Sequence, residues 1–221
     1  MRGAPTNSVD IVLCTTRDRQ LAVLLVRDES KRARERWTLP WAPVAARETL
    51  DHAAARVALR AAGARASWLA QAGAFADGSR HPGAAALSVA YVGVTPPRAL
   101  GPSTGAQWFP AGNLPPVAPR HRAIIDAALT HLRERVDRAP VAFRLLGATF
   151  TLSELQAVYE LLLGRRLHKA SFRRALQAAF LVEPTDEWQS EGRGRPAQLF
   201  RYAPRRRRGG RGGVRFELLG G

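Results

Sequence analysis

Four residues, Thr151-Leu152-Ser153-Glu154, constrain the fold of this chain more tightly than any other segment. A threonine oxygen can accept from an amide in the first turn of a helix while a glutamate three residues on reaches back to the threonine's own amide. The exchange satisfies two of the N–H groups that every helix start leaves open, so the spacing predicts a helix opening here. Behind it, Leu152, Leu155, Tyr159 and Leu162 recur at helical spacing, and Gly164 supplies the stop. After the turn Arg165-Arg166-Leu167-His168, a second helix is predicted from Lys169 to about Phe180, burying Phe172, Leu176 and Phe180. Its other face carries Lys169, Ser171, Arg173, Arg174 and Gln177. Two short helices joined by a tight turn, the second polar and basic on its open face, form the pattern of a helix-turn-helix. Leu181–Trp188 and Gln198–Tyr202 are predicted as two strands of a wing with a Gly/Arg-rich tip between them.

Charge supports nucleic acid as the partner. The 34 Lys and Arg residues stand against 18 Asp and Glu, a formal charge of +16, and such a surface attracts polyanions. From Thr151 onward there are 14 basic against 7 acidic residues. Guanidinium groups on Arg173 and Arg174 suit guanine edges and the Gln177 carboxamide suits adenine. Lys169 and Ser171, at a helix start with free backbone amides, suit phosphate. Arg193 and Arg195, on the thin backbone Gly192-Arg193-Gly194-Arg195-Pro196, suit a narrow minor groove. Residues 204–221, with four consecutive arginines and then glycines, are expected to be a disordered tail.

An anionic membrane surface is the rival partner, but no apolar run approaches the roughly 20 residues of a spanning helix, and Met1–Asp10 lacks the apolar core of a signal peptide. Cys14 is the single cysteine, which rules out a disulfide within one chain and fits a reducing cytoplasm. The five histidines, at 52, 81, 121, 131 and 168, show no pair at zinc-ligand spacing, so surface or turn positions are expected for them and no metal or cofactor is expected.

The N-terminal part reads as a mixed α/β sandwich ending near residue 138. Alternating apolar residues over 8–27, broken at Arg17–Gln20, predict a hairpin. A helix is predicted from Thr49 to Gly63 with Leu50, Ala54, Val57 and Ala58 on one face. A strand follows at 86–94, then a short apolar piece at Gln107–Pro110, and a helix from about Arg120 to Val136 carrying Ile124, Ile125, Ala128, Leu129 and Leu132.

The run from Phe150 to Glu160, then Phe172-Arg173-Arg174, Glu183-Pro184-Thr185 and Gly194–Arg201, resembles the winged-helix domain of the Nudix-related transcriptional regulators. Trp108-Phe109-Pro110 and Leu114-Pro115-Pro116 are similar to the same family. The resemblance implies a Nudix-like sensor over 1–138 and a winged helix-turn-helix over 139–203. It implies a homodimeric repressor on a pseudo-palindromic operator in double-stranded DNA, with ADP-ribose or a related nucleotide or sugar metabolite as effector, and control of NAD or sugar metabolism.

Nudix hydrolases carry glutamates on one helix that hold divalent metal against a diphosphate. On this sequence Glu48, Arg56 and Gly63 fit the pattern, Ala42 stands in its glycine position, and the three glutamate positions hold Val57, Arg60 and Ala61. No Nudix hydrolysis is therefore expected, and neither Asp51 nor Asp77 has the spacing to substitute. Glu48 is expected to brace its loop. Arg56 and Arg60 remain candidate charge partners for a diphosphate, and Trp37 or Trp41 a candidate stacking surface. Asp77-Gly78-Ser79-Arg80-His81-Pro82 resembles the family's loop near the ligand, which adds Arg80, but Gly83-Ala84-Ala85-Ala86 replaces the basic residues that often follow. Two other functions compete: a divergent hydrolase of nucleoside-diphosphate sugars with an accessory DNA-binding domain, and a nonspecific nucleic-acid binder driven by the tail.

Overall fold

The computed structural model describes residues 7–28, 36–97, 105–190 and 196–203, so Arg193, Arg195 and the 204–221 tail lie outside the described residues. The chain divides into two compact units, Met1–Leu132 and Arg133–Gly221.

The first unit is built on β1 (Asn7–Arg17) and β2 (Gln20–Arg27). Asp18 and Arg19 between them adopt φ of 47° and 58°, the left-handed pair of a two-residue hairpin turn whose twist matches that of the flanking strands. β3 (Trp37–Thr38), β4 (Trp41–Pro43), β5 (Trp68–Phe75), β6 (Leu87–Val94) and β7 (Ala106–Pro110) complete a seven-stranded sheet, with the path β3-β2-β1-β6-β5, β4 on β1 and β7 on β2. β1 and β6 run parallel, from Asn7 against Leu87 to Cys14 against Val94, and the other pairings are antiparallel.

The expected alternation along β1 gives way to burial on both faces from Ser8 to Thr15. Val9, Ile11 and Leu13 pack into a cluster with Ala53, Ala54, Val57 and Ala58 of α1 (Leu50–Ala62). The opposite face, with Asp10, lies against α2 (Pro119–Arg135), where Ile124, Ile125, Ala128, Leu129 and Leu132 are buried.

Helix α1 begins where predicted, with the Thr49 hydroxyl accepting from the His52 amide, and ends on Gly63 at φ 69°. Its buried face is mostly alanine. Leu50, expected on that face, is instead 37% exposed. Strand β5 has no counterpart in the sequence reading, because Trp-Leu-Ala-Gln-Ala-Gly-Ala-Phe is poor in β-branched residues. Its pairing with β6 shifts register between Gln71 and Gly73.

The second unit holds α3 (Val141–Arg144), β8 (Thr149–Phe150), α4 (Leu152–Leu163), α5 (Lys169–Ala179), β9 (Val182–Gln189) and β10 (Ala197–Tyr202). The capping box is present in both directions: Thr151 N–H donates to Glu154 Oε2 at 2.7 Å and Glu154 N–H to Thr151 Oγ1 at 3.1 Å. Strands β8, β10 and β9 form a three-stranded antiparallel sheet in that order. An aromatic core joins the elements: Phe143 lies 4.4 Å from Tyr202 and 5.8 Å from Phe150, and Tyr159 lies 5.5 Å from Phe172. Phe180 departs from expectation. The helix stops at Ala179, and Phe180 takes a left-handed φ of 51°, swings off the buried stripe of Phe172 and Leu176, and is 47% exposed.

Candidate functional site

In the first unit a cavity of about 550 Å³ opens beside α1, a volume ordinary for a nucleotide-sized ligand. Its lining includes Arg27, Asp28, Trp41, Arg56, Val57, Arg60, Ala61, Pro82 and Gly83. Arg56 and Arg60 are four residues apart, and that spacing puts both on one helix face.

Of the sequence candidates, Trp41, Arg56 and Arg60 line the cavity and three do not. Trp37 sits in β3 with its ring edge-on to Phe109 at 4.8 Å and the Arg27 guanidinium 5.8 Å from its centre. Glu48 is committed to Arg56, whose Nε and Nη2 donate to its two carboxylate oxygens at 2.8 and 2.7 Å. It also accepts from the Ala45 amide at 3.3 Å, so it braces its loop as expected. The Arg56 hydrogen bonds hold the Glu48 carboxyl down at about 2. Arg80 contributes its backbone carbonyl to the Arg120 amide at 3.3 Å. Asp51 accepts from Tyr91 at 2.6 Å, and Asp77 accepts from the Ser79 amide and hydroxyl. Asp28 is the carboxylate that lines the cavity among the described residues, and nothing in its sequence context marks it.

The expectation of surface or turn positions for the histidines fails for two of them. His81 and His121 are 4% and 0% exposed, and the Nε2 of each lies against Asp10 Oδ1, at 2.8 and 2.9 Å. Ser8 donates to Asp10 Oδ2 at 2.7 Å. The three side chains stand close enough to suggest a metal site, but the hydrogen-bond network argues against one. Leu39 N–H donates to His121 Nδ1 at 3.1 Å and Gly83 N–H to His81 Nδ1 at 3.0 Å. Each Nδ1 is therefore an acceptor, which leaves the proton on Nε2, pointing at the carboxylate. A metal-bound histidine normally donates its second nitrogen's proton instead. The cluster is a buried bracket that ties β1 to α2 and to the 77–86 loop. Arg120 reinforces it, donating from Nη1 to the Ala85 carbonyl at 2.6 Å.

The bracket also sets the cavity wall, because the His81 ring packs edge-on to Trp41 at 4.8 Å. The six-membered ring of Trp41 lies so close over Gly83 that a methyl there would fall inside it. Gly83→Ala is accordingly expected to push Trp41 off this wall, read as a red shift of tryptophan emission with little change in helix content.

Protonation should unlock the bracket. Burial pushes the His121 pKa below its usual value, against the opposing pull of Asp10. Burial pushes Asp10 up, but the bonds from His121, His81 and Ser8 outweigh it and leave its carboxyl well below the usual range. The unfolded chain thus takes up a proton on His121 near pH 6.5 that the folded chain refuses. Stability is expected to hold above that pH and to fall as pH drops from it towards the folded His121 value. Asp10 adds a further loss below about pH 3.9. Urea midpoints measured between pH 8 and pH 5 check the first limb.

In the second unit, α5 presents Lys169, Arg173, Arg174 and Gln177 exposed and Ser171 half-buried, with Phe172 and Leu176 buried beneath. Its N-terminus has no side-chain cap, which leaves backbone amides open to an anion. The turn before it is pinned from α4: Gln156 Nε2 donates to the Leu167 carbonyl at 2.9 Å, and Leu167 N–H to Glu160 Oε1 at 2.8 Å. No spacing signal in the sequence marks either side chain for this role. Trp188 on β9 is 61% exposed.

A seven-stranded α/β unit with its cavity on α1, followed by a helix-turn-helix and a wing, defines a Nudix-like fold joined to a winged-helix domain. Residues 142–202 match the family described as the NrtR DNA-binding winged helix domain. The chain is similar to Shewanella oneidensis NrtR crystallised with a 27mer DNA: 30% identity, 89% of this chain and 93% of that one, TM-score 0.79. It belongs to the NrtR family of Nudix-related transcriptional regulators. The ADPR responsive transcriptional repressor NtrR of Acinetobacter baylyi is 27% identical over 208 residues, covering 90% of this chain and 83% of the relative. The NUDIX domain of the Shewanella protein complexed with ADP ribose matches in fold, at 24% identity over 58% of this chain and 89% of that one, TM-score 0.50. No helix among the described residues is long and apolar enough to cross a membrane.

Proposed function

We propose that this chain is an ADP-ribose-responsive repressor that binds a pseudo-palindromic operator as a homodimer in the cytoplasm, within control of NAD or sugar metabolism. The observation that carries the reading is the pairing of a basic, exposed recognition helix with a ligand-sized cavity, in a chain similar over most of its length to a repressor named for its response to ADPR. Residues 139–203 form the DNA-binding domain. Arg173, Arg174 and Gln177 read base edges, Lys169 and Ser171 hold phosphate, and Arg193 and Arg195 extend the contact from the wing. In the first unit Trp41 and Arg60 receive the effector, with Arg56, held by Glu48, on the same wall. Trp37, Glu48 and Arg80 support the cavity from outside its lining.

The cavity regulates rather than hydrolyses. Positions that carry metal-holding glutamates in Nudix hydrolases hold Val57, Arg60 and Ala61 here, and the first and last are buried apolar side chains. A nucleoside-diphosphate sugar incubated with Mg²⁺ and the full chain is expected to remain intact. ADP-ribose acts by its differential affinity for two arrangements of the dimer's DNA-reading heads. The test is gel-shift titration of operator DNA with and without ADP-ribose. A change in apparent DNA affinity supports the reading, and an unchanged curve at saturating ADP-ribose sinks it.

A further inference from the structure

The Nudix fold brings with it the expectation of a divalent metal on the α1 face of the cavity, and the residues here do not fit one. Mg²⁺ needs an octahedron of oxygens in which carboxylates carry the charge. The α1 wall offers Arg56, Val57, Arg60 and Ala61. Glu48, the nearby glutamate, has both oxygens engaged by Arg56. Among the described residues that leaves Asp28 as the lining carboxylate, against the guanidinium groups of Arg27 and Arg60, since Arg56 and Glu48 neutralise one another. A cavity with that balance repels a free dication and attracts an oxyanion.

We infer that the cavity takes a diphosphate as the bare anion, with Arg60 as its direct partner, and that binding requires no divalent metal. Arg60 stands one helical turn beyond Arg56 on the cavity side. Arg56 is spent on Glu48 in a fork-to-fork pair, while no acid pairs with Arg60 among the described residues. Guanidinium presents donors in the planar fork that phosphate oxygens accept. The charge a metal would carry in a hydrolase is thus supplied by a side chain fixed to the helix. A fixed cation can hold a diphosphate, but it cannot generate a metal-activated hydroxide. Free Mg²⁺ is then a competitor, since it complexes the diphosphate in solution. The inference rests on the proposed effector role of this cavity for its ligand, and on its own residues for the mode of binding.

The experiment is calorimetric titration of the full chain with ADP-ribose and, separately, with inorganic pyrophosphate, each in excess EDTA and in millimolar Mg²⁺. The expected result is binding in EDTA at least as tight as in Mg²⁺, weakened about 10- to 100-fold in Arg60→Gln. Because Arg60 is exposed, the variant is expected to keep the parent's melting temperature without ligand, so lost affinity reports on the contact. Adenosine, which lacks phosphate, should bind both proteins alike. ADP-ribose binding in Mg²⁺ alone would overturn the metal-free mode and leave the effector reading standing. Pyrophosphate binding that depends on Arg60, with no response to ADP-ribose, would support the mode and sink that effector. Binding of neither ligand in EDTA, or affinity indifferent to Arg60→Gln, would overturn the inference.

Discussion

Asp10→Ala is expected to destabilise the first unit by about 2–6 kcal/mol, about 1–3 for each of the two buried imidazole donors it leaves without an acceptor. Asp10 is fully buried and accepts from His81, His121 and Ser8. Its removal strands the two imidazole donors away from water, each costing about 1–3 kcal/mol if nothing replaces the acceptor, while Ser8 can turn its hydroxyl to Ser88 Oγ at 3.0 Å. Both imidazoles are already oriented by backbone amides on Nδ1, so neither can turn its Nε2 elsewhere without abandoning Leu39 or Gly83. Asp10→Asn keeps the shape and one acceptor oxygen but offers a single accepting atom, and is expected to fall between wild type and alanine. Urea unfolding followed by tryptophan emission measures both variants. A loss below about 1 kcal/mol, the value of one ordinary hydrogen bond, would mean the bracket does not hold the fold.

The second large effect lies on α5. The double variant Arg173→Ala/Arg174→Ala is expected to weaken operator binding by about 1–3 kcal/mol per side chain, or roughly 10- to 100-fold each, and to relax discrimination between matched and mismatched sites. Both side chains are exposed, and the helix is anchored through Phe172 and Leu176, so the melting temperature should not move. Lys169→Ala is the contrast. It should weaken binding evenly across sequences and lower the salt slope by about one, the signature of a phosphate contact. Fluorescence anisotropy at several salt concentrations separates the two behaviours. An unaltered matched-to-mismatched ratio in the double variant would remove Arg173 and Arg174 from base reading.

The contrast between the two units explains what could be read from the sequence. In the second, the signals are local: the capping box at Thr151 and Glu154, the stop at Gly164 and the stripe through Phe172 and Leu176 each depend on residues within a few turns of one another. The wing strands fell close to β9 and β10 for the same reason. The failure at Phe180 is local too, since a left-handed residue at a helix end lets an apolar side chain leave its periodic face. In the first unit the decisive contacts are long-range. His81 and His121 are 71 and 111 residues from Asp10, and no spacing rule connects them. One clue was present: an aspartate within the apolar run Val9–Cys14 must find partners if that strand is buried. The cavity was legible through Arg56 and Arg60 because helical spacing carries over from the resemblance to the Nudix motif. Trp37 and Arg80 were not separable from Trp41 by sequence position, because which loop side chains face a cavity depends on strand pairing and on the bracket beneath.

A repressor with this recognition helix reads a defined DNA sequence. Selection of genomic fragments bound by the full-length protein, repeated at several stated ionic strengths, is the test, because phosphate contacts alone give binding that varies steeply with salt. The expected result is enrichment of a palindromic site upstream of a small set of genes, still distinguished from unrelated fragments as salt is raised and altered by ADP-ribose. Diffuse recovery of unrelated fragments that fades uniformly with salt would contradict it.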